Sequence, residues 1–229
     1  MNKLILCLIL VFGFNCFEIK AQQTVPTPEP NQDLQKLEEE YRRKIAEVEE
    51  KNKKIAENNA KINQALKDGV KAFEEKKYRL AIEKFDEGFN LDPDFWGTAP
   101  VLLNNKGTAL MHLGVEIYND TLKTKQIARL EANRFFLDAI RAFKDSQKIL
   151  ENAALPPDEA GQTLIEETRY ESAKQLAECF RLLVLTDETR VYEAIQAFEN
   201  YIKIEKDELL KYKAQEKLSK LNRKFKISY

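Results

Sequence analysis

A five-residue pattern, Ala-Ile-x-x-Phe, occurs three times in this chain of 229 residues and limits what the chain can fold into. The copies begin at Ala81, Ala139 and Ala194, and an apolar residue precedes each alanine by three positions. These offsets place the apolar groups on one helical face, and the small alanine lets a neighbouring helix approach closely. Repetition of one helix-packing pattern predicts an all-α chain built from repeated helical units.

The composition favours helices and restricts the chemistry. Only 7 Gly and 7 Pro occur, and 37 Lys and Arg nearly balance 38 Asp and Glu, so the net charge does not indicate a nucleic-acid partner. One histidine, His112, argues against histidine metal cages and histidine-dependent triads. We expect no enzyme, no metal and no cofactor, although a hydrolase using two carboxylates is an alternative. Cys179 is expected to be a buried thiol rather than a reactive or disulfide-bonded one.

The first 21 residues have the three-part layout of a secretory signal peptide. A short basic start precedes an apolar run over residues 4–14, which is shorter than the roughly twenty residues of a membrane anchor. We expect cleavage after Ala21 and export to the periplasm or envelope. Acylation of Cys16, as in a lipoprotein, is the alternative. Cleavage would leave Cys179 as the single thiol, so no internal disulfide is expected.

Residues 22–32 contain three prolines and predict a linker, and residues 33–66 then continue as one helix without Gly or Pro. A seam along this helix advances by steps of four and three, the heptad spacing of a coiled coil. Two asparagines on the seam would cost stability but fix the register and the number of strands. A single helix that folds back on the following repeats is the alternative. The seam predicted to join copies of the chain contains Ile45, Val48, Asn52, Ile55, Asn59 and Ile62.

The segment 69–93, GVKAFEEKKYRLAIEKFDEGFNLDP, resembles a tetratricopeptide repeat in the spacing of its small residue, aromatic residues, Ala, Phe and Pro. The resemblance covers residues 62–205 as about three repeats, of which the second and third are elongated. It implies a helical-repeat solenoid, with residues 206–229 as a basic capping helix. Trp96 is expected to cover the junction of the first two repeats.

Tetratricopeptide arrays bind peptides or protein surfaces in a groove lined by their first helices, so the resemblance implies a similar groove here. The basic and amide residues of the family's carboxylate clamp are missing, because Leu66 and Val70 occupy two of their positions. An apolar or extended peptide is therefore expected. The matching positions are Leu66, Val70, Phe73, Val101, Asn104, Thr108 and Met111.

The order of signal, linker, polar-seamed coil and repeats is similar to the bacterial periplasmic coordinators of the Tol–Pal system, in which a short coil trimerises and the repeats bind partners. The long insertions in the present repeats depart from that family. We expect an exported, non-enzymatic adaptor or scaffold that docks a protein or peptide in its groove. The alternative is a structural coiled-coil oligomer at the cell wall or membrane surface. The seven basic residues and one acidic residue of 209–229 predict either a solvated face or contact with an anionic envelope surface.

Overall fold

A computed structural model describes residues 32–154, 156 and 158–227, and every regular element within them is helical. The expectation of an all-α chain is therefore confirmed for this part. The predicted signal peptide, with Ala21 and Cys16, and residues 22–31 of the predicted linker lie outside the described residues. The helices are α1 (Gln32–Glu74), α2 (Tyr78–Leu91), α3 (Ala99–Tyr118), α4 (Lys125–Asn152), α5 (Glu159–Thr186), α6 (Val191–Ile204) and α7 (Glu208–Phe225), with a short 3-10 turn (Glu188–Arg190) before α6.

The chain divides into two compact units, Met1–Glu49 and Glu50–Tyr229. The described part of the first unit is the beginning of α1. The second unit contains the rest of α1 and all the later helices, and it holds the hydrophobic core.

Polar side chains begin several of these helices by accepting hydrogen bonds from free backbone N–H groups. Asp158 accepts from the Gly161 N–H at 2.7 Å where α5 begins. Asp207 accepts from two N–H groups at 2.8 and 3.0 Å where α7 begins. Thr124 precedes α4 in the same manner. In the elongated second repeat, α3 ends at Tyr118 and α4 begins at Lys125, which leaves a loop at residues 119–124.

The three Ala-Ile-x-x-Phe copies lie on α2, α4 and α6 and form much of the core. Their alanines are fully buried, and Phe85, Phe143 and Phe198 are at most 2% exposed. The first two copies make the same contact with a preceding helix. A Cβ atom added to Gly69 would lie 2.5 Å from Phe85 Cε1, and one added to Gly107 would lie 2.7 Å from Phe143 Cε1. Glycine is required at both positions because each phenylalanine ring occupies the space of a side chain.

Helix α3 lies at the centre of the unit. Leu102 of α3 packs beside Gly88 of α2, and the Asn104 amide of α3 donates to the Thr168 carbonyl of α5 at 3.1 Å. The hydroxyl group of Ser146 on α4 donates to the Pro100 carbonyl at 3.1 Å. These buried polar bonds fix the spacing of α3 against α4 and α5, because an unpaired partner would cost free energy there.

Helix α5 packs against α4 through two further side-chain bonds to backbone carbonyls. The Ser172 hydroxyl donates to Phe143 at 3.0 Å, and the Cys179 thiol lies 3.4 Å from the Phe136 carbonyl. Cys179 is fully buried, and this burial raises the pKa of its thiol, with Glu178 adding to the effect. The expected burial of this cysteine is confirmed.

Trp96 lies in the loop between α2 and α3, at the junction where the sequence predicts a covering residue. Its ring is half-buried, and its centroid is 5.7 Å from that of Phe95. A Cβ atom added to Gly161 would lie 3.2 Å from the tip of the Trp96 ring. The tryptophan therefore also packs against the beginning of α5.

Candidate functional site

Most of α3 is buried, but one narrow face of it is open. The part-exposed residues of this face recur at steps of four and three, which is the period of one side of a helix. The side chains of Asn105 and Thr108 bond to backbone carbonyls of their own helix, each at 2.9 Å, so they offer few free polar groups to a partner. The face consists of Val101, Asn105, Thr108, His112 and Val115.

Helix α1 runs beside α3 in the same direction. Ala65 and Leu102 both approach Gly88, and further along the two helices Phe73 contacts His112, with ring centroids 5.1 Å apart at 90°. Leu66 and Phe73, which lie two turns apart on α1, are part-exposed. The part-exposed residues of α1 therefore continue the open stripe of α3.

Three rings meet at one end of this stripe. Tyr78, the first residue of α2, lies 5.4 Å from Phe73 and 5.6 Å from His112 between ring centroids. Burial lowers the pKa of His112, so the imidazole is uncharged at neutral pH. Burial, and then the charge of Glu116, raises the pKa of Tyr78, which keeps its phenol protonated. The result is a neutral aromatic cluster.

We call the combined surface the open face and define it by eight part-exposed residues. Two come from α1, one from α2 and five from α3: Leu66, Phe73, Tyr78, Val101, Asn105, Thr108, His112 and Val115. Apolar and aromatic groups predominate in it. Lys106, which follows Asn105, pairs with Asp86 of α2 at 2.6 Å, so this nearby cation is already neutralised.

Four of the seven residues predicted to line a groove belong to the open face, namely Leu66, Phe73, Val101 and Thr108. The other three side chains are buried: Val70, Asn104 and Met111. On α3 the open positions are 105 and 112, each one residue after a predicted position. Asn104 is buried because α5 packs over it, and its amide bonds to Thr168 while its Oδ1 has no hydrogen-bond partner.

Sequence reasoning missed two members of the aromatic cluster. Tyr78 is the apolar residue three positions before Ala81, which the motif places on the packed helical face, and a single histidine in a sequence suggests at most a metal ligand. The spacing of Val101, Thr108 and Val115, seven residues apart, was the available signal for an apolar stripe on α3. It did not show which of the intervening residues, 104 or 105, shares that stripe.

The predicted seam of α1 is exposed up to Asn59 and buried at Ile62. Ile45, Val48 and Ile55 are 49%, 55% and 57% exposed, and Asn52 and Asn59 are exposed as well. Ile62, the last of the predicted seam residues, is 1% exposed and belongs to the core. The chain itself therefore covers the end of the seam and leaves its earlier apolar residues open.

The densest group of buried polar side chains joins α5, α6 and the start of α7. The hydroxyl of Tyr170 donates to Glu205 Oε2 at 2.6 Å, the Tyr201 hydroxyl bonds to the same oxygen, and the Asp207 N–H donates to Oε1 at 2.8 Å. Burial alone would raise the pKa of Glu205, but these hydrogen bonds outweigh it and lower that pKa. Burial and the bond to Glu205 raise the pKa of Tyr170 to about 12. The three side chains satisfy one another and thereby connect the helices.

The described residues hold no group of three or more His, Cys, Asp or Glu side chains arranged to bind a metal ion. Within the same residues, none of the helices has an apolar stretch sufficient to cross a lipid bilayer. No protein-family model, curated protein or solved structure matches the chain. The function of the chain must therefore be inferred from its surface chemistry.

Proposed function

We propose that this chain is a non-enzymatic adaptor or scaffold that docks a protein or peptide partner on the open face. The observation that carries the proposal is the part-exposed stripe of α3, which continues into Phe73 and the aromatic cluster although the rest of α3 is largely buried. Aromatic side chains such as Phe73 and Tyr78 are enriched in the buried centres of protein interfaces.

We further propose that the helices form a tetratricopeptide-like solenoid. Support comes from the three motif copies on α2, α4 and α6, and from the equivalent contacts of Gly69 with Phe85 and Gly107 with Phe143. The parallel course of α1 and α3 adds to it, since these are the first helices of the first two pairs. In the family that the sequence resembles, first helices line the peptide-binding groove.

The chemistry of the open face favours an apolar or extended peptide over an acidic one. The Thr108 hydroxyl and the Asn105 amide donate to carbonyls within α3, the histidine is uncharged, and Lys106 is paired with Asp86. A carboxylate placed there would lose its water and gain no free cation. Apolar side chains would instead gain about 25 cal/mol for each Å² of surface removed from water.

The proposed location is the bacterial envelope or periplasm, and it is based on the sequence layout of the first 32 residues. The second candidate function is a structural coiled-coil oligomer, associated with the cell wall or membrane surface through the basic end of the chain. The exposure of Ile45, Val48 and Ile55 favours it, because a second copy of the chain could cover these side chains.

A photocrosslinking experiment tests the adaptor function. Benzoylphenylalanine is placed at Thr108 in the open face or, as a control, at Lys148 on an exposed side of α4, and living cells of the native host are irradiated. We expect a discrete adduct with another protein from Thr108 and none from Lys148. Circular dichroism confirms that both variants fold. No adduct from Thr108, or the same adducts from both positions, would contradict the proposal, and an adduct with a second copy would favour the structural oligomer.

A further inference from the structure

A second surface feature lies between α5 and α7, on helices that do not contribute to the open face. It is an open groove of about 400 Å³ with an apolar floor that includes Val184, Leu221 and Phe225. The charged residues that line the groove are all cations: Arg181 from α5, and Lys217, Lys220 and Lys224 from α7. Among the residues that the structure describes, none of those lining the groove is acidic.

Two of these cations are held by one carboxylate beside the groove. Glu178 accepts from Arg181 at 2.5 Å and from Lys217 at 2.9 Å. Burial alone would raise the pKa of Glu178, but the bonds and charges of these two cations outweigh it and lower that pKa. Glu178 therefore stays ionised and fixes one end of the cationic lining.

The other two cations are held weakly. Lys220 pairs with Glu216 at 2.7 Å, and Lys224 lies 4.0 Å from Glu188. The lysine side chains are 63% and 54% exposed, and such exposed ion pairs contribute about 0–1 kcal/mol. An incoming anion can therefore replace these carboxylates at little cost.

The spacing of the lysines selects the kind of anion. Lys217, Lys220 and Lys224 follow one another by three and four residues, so they extend over about 10 Å on one side of α7. Leu221 and Phe225 alternate with them along the same groove. A ligand with one anionic head would meet only one of these lysines, whereas carboxylates spaced by one helical turn would meet all three.

We propose that the groove between α5 and α7 binds an acidic, amphipathic segment of a protein partner. Its carboxylates lie against Lys217, Lys220 and Lys224, and its apolar side chains cover the floor at Leu221 and Phe225. The groove and the open face differ in chemistry. Lys106 beside the open face is held by Asp86 in a part-buried pair, whereas Lys220 and Lys224 of the groove are in exposed pairs that an incoming carboxylate can replace. One chain can thus hold an apolar segment and an acidic segment at different places.

The test measures the fluorescence anisotropy of a labelled synthetic peptide, in which Glu and Leu recur at helical amphipathic spacing, as the full chain is added. Lys220→Glu/Lys224→Glu should weaken binding about tenfold or more, because two attractions become repulsions. Lys211→Glu/Lys213→Glu is the matched control, since it changes the net charge equally on the same helix outside the groove. It should change the affinity by about twofold or less.

Several outcomes would overturn the proposal. One is that both double variants weaken peptide binding equally, which would mean that binding depends only on the net charge of the chain. Another is equal binding of a peptide with Lys in place of Glu. A third is binding to vesicles of phosphatidylglycerol and phosphatidylcholine that depends on Lys220 and Lys224, with no binding of the acidic peptide, since the groove would then contact a lipid surface. None of these results affects the crosslinking from Thr108, so the two proposals fail separately.

Discussion

The earlier and later parts of α1 carry similar apolar spacing but differ in what covers them. Tyr41, Ile45 and Val48 are about half to two-thirds exposed, whereas Ile62 and Ala65 are at most 7% exposed. In the later part, α2 and α3 provide the covering side chains. Periodicity in a sequence thus identifies the apolar face of a helix without identifying its partner.

The largest expected effect comes from a pair of identical substitutions in the two parts. Ile62→Ala should lower the free energy of unfolding by about 2–4 kcal/mol, because it leaves a cavity in the core. Ile55→Ala, on the exposed stretch of the same helix, should change it by about 0.5 kcal/mol or less. Urea denaturation of the full chain at low protein concentration measures both. Similar losses from the two substitutions would show that Ile55 is covered within the chain.

A smaller effect is expected at Gly69, where α1 touches α2. Gly69→Ala forces a Cβ atom against the buried ring of Phe85, which costs about 1–3 kcal/mol, while better helix propensity returns about 1 kcal/mol. We expect a net destabilisation of about 1 kcal/mol in urea denaturation.

Combining this change with Phe85→Leu shows whether the contact itself is responsible. In a chain that carries Phe85→Leu, Gly69→Ala should cost less or become stabilising, because the smaller side chain frees the space. If Gly69→Ala alone stabilises the chain by about 1 kcal/mol, as expected in an open helix, then the close approach to Phe85 does not limit packing here.

The parts of the fold that were predictable are those fixed by local sequence. The repeated motif identified the buried alanines and phenylalanines of α2, α4 and α6, because their spacing alone places them on one helical face. The register of the open face was not predictable in the same way. Whether residue 104 or 105 of α3 is open depends on α5 packing over Asn104, and after Gly161 the sequence of α5 contains no further glycine that would have fixed its register.

The groove between α5 and α7 could not be predicted from the sequence for a similar reason. The basic composition of residues 209–229 left a solvated face and contact with an anionic surface as alternatives, and it could not indicate that Arg181 and Val184 of α5 line the same groove. Only the fold, in which α7 packs against α6 and Lys217 of α7 bonds to Glu178 of α5, brings these side chains beside Lys220 and Phe225. The charge pattern of one helix does not show which apolar residues of another helix will lie beside it.

The smallest effect on the isolated chain, and the one that decides what covers the exposed seam, is expected from Asn52→Ile/Asn59→Ile. Both asparagines are exposed, so in a monomer the pair should change the free energy of unfolding by about 0.5 kcal/mol or less. If a second copy covers the seam, the same pair should raise the thermal stability of the associated form and relax the number of strands, because the amides that set the register are gone.

Sedimentation equilibrium at micromolar concentrations, together with thermal unfolding, distinguishes these cases. Asn58→Ile is the matched control, since Asn58 belongs to the same helix but lies off the seam. A concentration-dependent rise in stability from the seam pair, and none from the control, would assign a second copy of the chain to Ile45, Val48 and Ile55. Monomers throughout would contradict the coiled-coil hypothesis. We would then expect a different protein to cover the exposed seam, because a long helix with an uncovered apolar stripe gains little stability by itself in water.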